Sequence, residues 1–188
     1  FAALVSVGLV ILLVGVQIIS ATMSTSENFR MRRIIAWLNP EEYAAEGAYQ
    51  TLQGLYAIGS GGFFGKGLGN SAQKRIIPEV QNDMILSVIC EELGIFGAIV
   101  VLILFAMLLY RLLFIAQNAP DLYGSLIVTG IFAHIALQVV LNVAVVTNTI
   151  PNTGITLPFI SYGGTSILFL MAEIGIALGV SDKIELEE

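Results

Sequence analysis

Apolar residues in this chain fall into long uncharged runs. They neither alternate as in a half-buried strand nor recur at the three-to-four spacing of a helix with one wet face. Phe1 to Ser20 carries no charge, and about 20 such residues suffice to cross a bilayer. Met84 to Tyr110 holds Glu91 and Glu92 in its first turns and is then uncharged from Leu93 to the closing Arg111. Leu122 to Val146 is a third run, and Thr165 to Val180, shorter and interrupted by Glu173, is a fourth. Hydropathy therefore predicts an all-α membrane protein of about four transmembrane helices, near 1–20, 84–110, 122–146 and 165–180.

Two longer polar stretches separate these runs. Ala21 to Asp83 is too long for a turn, and its content of Phe29, Trp37, Tyr43, Tyr49, Tyr56, Phe63 and Phe64 argues against disorder. Within it, Arg30 to Leu38 has the pattern of an amphipathic interfacial helix, with Ile34, Ile35 and Trp37 available to the bilayer. The second stretch, Thr147 to Gly164, is broken by Pro151, Gly154, Pro158 and Gly163-Gly164. Irregular backbone near a membrane survives where it is buried in protein or lines a wet cavity, so this loop reads as a cavity wall. With four crossings, these two loops share one side of the membrane, and 111–121 and both termini share the other.

Composition strengthens the membrane reading: 56% of residues are hydrophobic and 12% charged, with mean hydropathy +0.87, against about 25% charged in soluble domains. The net charge of −6 owes much to the tail residues Asp182, Glu185, Glu187 and Glu188, and points to no nucleic acid. The single Cys90 excludes an internal disulfide and a cysteine-rich metal site. Phe at position 1, followed at once by apolar residues, does not read as a signal peptide but as the C-terminal part of something larger. Six of the eight basic residues, Arg30, Arg32, Arg33, Lys66, Lys74 and Arg75, lie in the large loop, so charge bias alone puts that loop in the cytoplasm.

Several clusters carry candidate chemistry. Gly59 to Asn70 resembles a phosphate loop but departs from it. Five residues separate Gly59 from Gly65 where four are needed, and Gly67 follows Lys66 where Ser or Thr must hold magnesium. It reads either as a flexible turning loop or as a backbone-lined surface for an anionic headgroup, with Lys66, Lys74 and Arg75 supplying charge. Asp83, directly before the second apolar run, is either a helix N-cap or a functional acid. At least one of Glu91 and Glu92 is expected to face the protein interior. His134, Gln138 and Asn142 share one helical face, as interhelical hydrogen bonders or, through His134, as a proton relay. Glu173 is open in the same way.

In order, Asn39-Pro40, Tyr49-Gln50, Ala57-Ile58-Gly59-Ser60-Gly61-Gly62, Gly65 to Ser71, Gln73-Lys74, Pro78-Glu79, Asp83, Glu91-Glu92-Leu93-Gly94, Gln138, Asn142 and Leu157 to Gly164 resemble the SEDS family of polytopic membrane proteins. The Gly-Leu-Gly-Asn-Ser and Gln-Lys pieces resemble its division and sporulation branch more than its elongation branch. The resemblance implies a peptidoglycan glycosyltransferase that polymerises lipid II, built as the C-terminal part of a ten-helix fold, with the isolated fragment inactive. It implies a bacterial cytoplasmic membrane location, with the large loop outside, against the charge bias. Asp83 matches the family's essential acid, although Asn82-Asp83-Met84 stands where the family more often has Thr-Asp-Phe.

Gln50, Ser60, Gln73, Glu91, Ser161 and Tyr162 belong to the matched motifs and are expected at the substrate with Lys66, Lys74 and Arg75. A diphosphate already leaves as a stable anion, so one general base, Asp83, suffices where glycosidases need two carboxylates. The cations, the Arg30, Arg32 and Arg33 cluster among them, would stabilise the departing charge. No cofactor is implied beyond a divalent cation at the diphosphate, which the sequence leaves open. Implied partners are a class B penicillin-binding transpeptidase, other divisome proteins and membrane lipids. Three rival readings remain: a lipid II flippase, a secondary transporter centred on His134 and Glu173, and a scaffold for a division transpeptidase.

Overall fold

The computed structural model describes residues 29–43, 48–77 and 80–184, without the side chains of residues 29–32 and Arg75. The expected first span at 1–20, the matched Pro78-Glu79 and the acidic end of the tail lie outside the described residues. Regular structure among those described is entirely helical. It comprises α1 (Phe29–Leu38), α2 (Tyr49–Gly61), a 3₁₀ turn (Gln73–Arg75), α3 (Ile85–Asn118), α4 (Leu122–Val146) and α5 (Gly164–Ser181). The chain divides into two compact units, 1–49 and 50–188. The first contains α1, which covers the expected interfacial helix.

In the second unit, α3, α4 and α5 are each long and apolar enough to cross a membrane. Ala119, Pro120 and Asp121 link α3 to α4. There the Asp121 carboxylate accepts the Gly124 N–H at 3.4 Å, and the Ser125 hydroxyl donates to the Ala116 carbonyl at 2.7 Å. The two helices share a core of Phe105, Leu112, Ile115 and Ala116 against Val128, Ile131, Ile135 and Val139, with Leu170 and Ala177 added from α5. Much of the remaining apolar surface is open: Met107 is 63% exposed, Leu168 70% and Phe169 71%. Apolar area this extensive belongs in lipid or under further protein.

The second expected span needs two corrections. It continues to Asn118 rather than stopping at Tyr110, because Leu112 to Ala116 extend the apolar run. Arg111 is exposed and lies over the Phe114 ring at 5.4 Å, which lets its charge leave the apolar helix without ending it. The helix is also broken at Gly94, whose φ of 72° and ψ of −173° are not helical. A break strands the carbonyls before it and the N–H groups after it. Here the glycine loop supplies both sets of partners: Lys66 and Gly67 donate N–H to the carbonyls of Glu91 and Glu92 at 2.9 Å, while Gly62 and Phe63 offer carbonyls to the N–H groups of Ile95 and Phe96.

This arrangement settles what the glycine-rich stretch does. The N–H groups of Gly65, Lys66 and Gly67 are spent on carbonyls, so these three do not form an anion cradle, and the loop is stapled rather than free to flex. Glycine is required by contact: a Cβ on Gly61 would stand 2.0 Å from the Cys90 carbonyl oxygen, and one on Gly65 2.2 Å from that of Glu92. The segment read as loop also contains α2. This helix runs beside the first part of α3, with Gln50 at Asp83, Gly54 at Ser87 and Gly61 at Cys90.

Candidate active site

Asp83 sits where α2, α3, α4 and the 147–163 loop converge, and it is 8% exposed. It does not cap α3. The residue at the cap position is Met84, and no side chain closes that end. One carboxylate oxygen of Asp83, Oδ1, accepts the Gln50 amide at 2.8 Å. The Gln50 Oε1 in turn accepts the Asn152 amide at 3.3 Å, so a residue of the second loop orients the glutamine that orients the acid. Among the described residues Oδ2 accepts no hydrogen bond. On the backbone side, the fully buried Asn142 donates both amide hydrogens, to the carbonyls of Asp83 and Ile155, each at 2.8 Å. Its Oδ1 is buried without a partner.

A second cluster forms around Glu91, one helical stretch further along α3. This carboxylate is fully buried. Its Oε1 accepts the Lys66 ammonium at 2.7 Å, the Ala72 N–H at 3.3 Å and the Ser60 hydroxyl at 3.4 Å. Its Oε2 accepts the Ser71 hydroxyl and the Gln73 N–H. Lys66 also donates to the Ser60 hydroxyl at 2.8 Å, and the Lys74 N–H donates to Ser71 Oγ at 3.0 Å. The Lys74 side chain is exposed. Eight residues of mostly helical rise separate Glu91 from Asp83, on the order of 12 Å.

The remaining expected residues fall into different surroundings. Ser161 is buried, and its hydroxyl accepts the Leu157 N–H at 2.7 Å, so it closes its own turn. Tyr162 is 73% exposed, and its N–H donates to the Gln81 carbonyl at 2.8 Å, which ties the second loop to the strand of chain entering Asp83. The side chain of Gln73 leaves Oε1 buried and unpartnered. The side chains of Arg30, Arg32 and Arg75 lie outside the described residues. Asn152 and Ser71 had no role assigned from sequence. Asn152 stands 102 residues from its partner Gln50, and no local pattern links the two.

His134 and Glu173 pair with each other across α4 and α5 at 3.0 Å, in agreement with an interhelical contact. His134 lies two turns below Asn142 on α4. Among the described residues, no three His, Cys, Asp or Glu side chains lie close enough to hold a metal ion.

The family model for FtsW, RodA and SpoVE, described as cell cycle protein, matches residues 1–185. The chain belongs to this family. These are the SEDS proteins that its motifs resemble, and family and helices together make it a membrane protein. Stage V sporulation protein E of Bacillus subtilis is 49% identical over 157 residues, 83% of this chain and 43% of the relative. A probable peptidoglycan glycosyltransferase FtsW of Coxiella burnetii is 39% identical over 181 residues, 94% of this chain and 48% of the relative. The SEDS chain thus spans less than half the length of these curated relatives. Among solved structures, a chain of a peptidoglycan synthase complex, described as coordinating polymerization and crosslinking, superposes with a TM-score of 0.66 at 26% identity. The match covers 94% of this chain and 48% of that one. A mutant of the rod shape determining protein RodA of Thermus thermophilus shares the fold, with a TM-score of 0.55 at 23% identity over 92% of this chain and 63% of that one.

Proposed function

We propose that this chain carries the catalytic half of a peptidoglycan glycosyltransferase that polymerises lipid II, with Asp83 as general base. The observation that carries the reading is the asymmetry of the Asp83 carboxylate. One oxygen is fixed by Gln50 and the other is unengaged among the described residues, in a site walled by both loops. A base needs this combination: an orienting hydrogen bond on one side and an open lone pair within reach of the acceptor hydroxyl on the other. The acceptor oxygen bonds to the donor sugar's anomeric carbon as the bond to the lipid diphosphate breaks, and Lys66, Lys74 and Arg75 would stabilise the charge of the departing diphosphate.

The similarity to a sporulation protein and to a probable peptidoglycan glycosyltransferase supports a glycosyltransferase working in division or sporulation. The synthase complex among the solved structures supports a transpeptidase partner, which for this branch is a class B penicillin-binding protein acting with other divisome proteins. In this reading the large loop and the 147–163 loop face outward from the bacterial cytoplasmic membrane, where the growing glycan is. Purified full-length protein given labelled lipid II and its transpeptidase partner should yield glycan strands resolved on a gel. Movement of lipid II across the bilayer without strands would favour the flippase reading instead.

Orientation has its own test. Cys introduced at Phe64, which is 80% exposed, and at the exposed Thr153 should both react with an impermeant thiol reagent applied to intact cells. Cys at the exposed Gln117 should not. Labelling of the first two from opposite faces, or of position 117 from outside, would contradict the arrangement.

Gln50→Leu removes the orienting hydrogen bond and leaves Asp83 in place. A misaligned catalytic group commonly costs up to about 10²-fold, so kcat should fall roughly 10- to 100-fold with KM little changed. An unchanged kcat would mean that the Gln50 contact does not align the acid.

A further inference from the structure

We propose that Glu91 is a positioning residue for the diphosphate subsite: its buried carboxylate holds the Lys66 ammonium and the 71–75 turn in one fixed arrangement. The inference rests on reading Lys66 as a diphosphate contact. It removes Glu91 from the substrate contacts expected from sequence, because both of its oxygens are already occupied, Oε1 by Lys66, Ala72 and Ser60 and Oε2 by Ser71 and Gln73.

The geometry gives the carboxylate two tasks. The backbone of Lys66 is fixed by its N–H to the Glu91 carbonyl, but a lysine stem has several rotatable bonds, so without a partner its ammonium would not be held still. Glu91 and Ser60 take two of its three N–H donors, at 2.7 and 2.8 Å. The lysine side chain remains 36% exposed, with its third donor available to an anion. The same carboxylate accepts the N–H groups of Ala72 and Gln73 and the Ser71 hydroxyl. That hydroxyl in turn accepts the Lys74 N–H, and so the turn carrying Lys74 and Arg75 hangs from Glu91.

The buried negative charge beside Lys66 fixes that ammonium before an anion arrives, and such pre-organisation is what makes electrostatic stabilisation effective. The full burial of Glu91 inside an otherwise apolar helix is expensive unless every lone pair is matched, as it is here.

The test is a double-mutant cycle in the full-length protein with its transpeptidase partner, reading initial rates of glycan synthesis against lipid II concentration. Lys66→Met and Glu91→Gln should each lower kcat/KM about tenfold, since the held ammonium meets the diphosphate as it departs, and the double variant should match either single one. A lysine substitution that leaves kcat/KM unchanged would overturn both the diphosphate contact and the positioning role. A lowered kcat/KM for Lys66→Met, with Glu91→Gln lowering only the unfolding temperature, or with the two effects multiplying, would keep the contact and overturn the positioning role. If Glu91→Gln alone is too unstable to assay, the double variant, in which neither charge is left unpaired, decides. A kcat/KM equal to that of Lys66→Met supports the proposal, and a further large fall contradicts it.

Discussion

Gly94→Ala should cost the folded protein on the order of 3 kcal/mol or more, a substantial share of the margin of about 5–15 kcal/mol by which a typical domain is stable. The residue lies at φ 72° and ψ −173°, a region essentially closed to side chains and worth about 1–3 kcal/mol when forced. Its new methyl would also stand 2.3 Å from the Phe63 carbonyl oxygen and 2.5 Å from the Gly65 nitrogen, both backbone atoms that cannot swing away. Overpacking of this kind adds about 1–3 kcal/mol. The hydrogen bonds that the loop gives to both sides of the break would be displaced together, which couples the strain to Lys66 and Glu91. Gly130→Ala is the matched control. That glycine is within α4 and has nothing within 4 Å of its missing Cβ, so alanine should be neutral or gain roughly 0.5–1 kcal/mol from helix propensity. Thermal unfolding of the two variants in detergent should separate clearly, and equal midpoints would show that the Gly94 break is not constrained by the loop.

The membrane helices were legible because a bilayer demands long uncharged runs, and such runs have no other common explanation. Leu122 to Val146 appears as a helix with the same bounds, and α5 exceeds the expected Thr165 to Val180 by one residue at each end. Legibility failed where a residue's usual meaning was reversed by its neighbours. Arg111 read as the end of a span, yet it lies on the helix surface over Phe114. The glycines at 54, 59 and 61 read as loop, yet α2 runs through them, and Gly54 and Gly61 are the flat contacts that let this helix approach α3. Asp83 had a good local reading as an N-cap. Only its long-range partner Gln50, itself held by Asn152, reveals a different environment. Such contacts carry no periodic signal. Motif resemblance could identify Gln50 as a candidate but not say what it touches.

Asp83→Asn should lower glycan polymerisation by about 10²- to 10⁴-fold, the usual worth of a positioned general base. The amide is nearly isosteric and can still lie beside Gln50 by turning its own carbonyl toward the glutamine N–H. The Asp83 carbonyl that Asn142 holds belongs to the backbone and is untouched. Folding, membrane insertion and partner binding should therefore persist, and the loss should fall on kcat, since the amide has no basic lone pair to take the acceptor's proton. The decisive measurement is the rate of strand synthesis from labelled lipid II by the purified full-length Asn variant with its transpeptidase partner, compared with the unsubstituted protein under the same conditions. The expected result is intact, well-folded protein that makes essentially no strands. Long strands formed at a comparable rate would contradict it and leave Asp83 a structural residue.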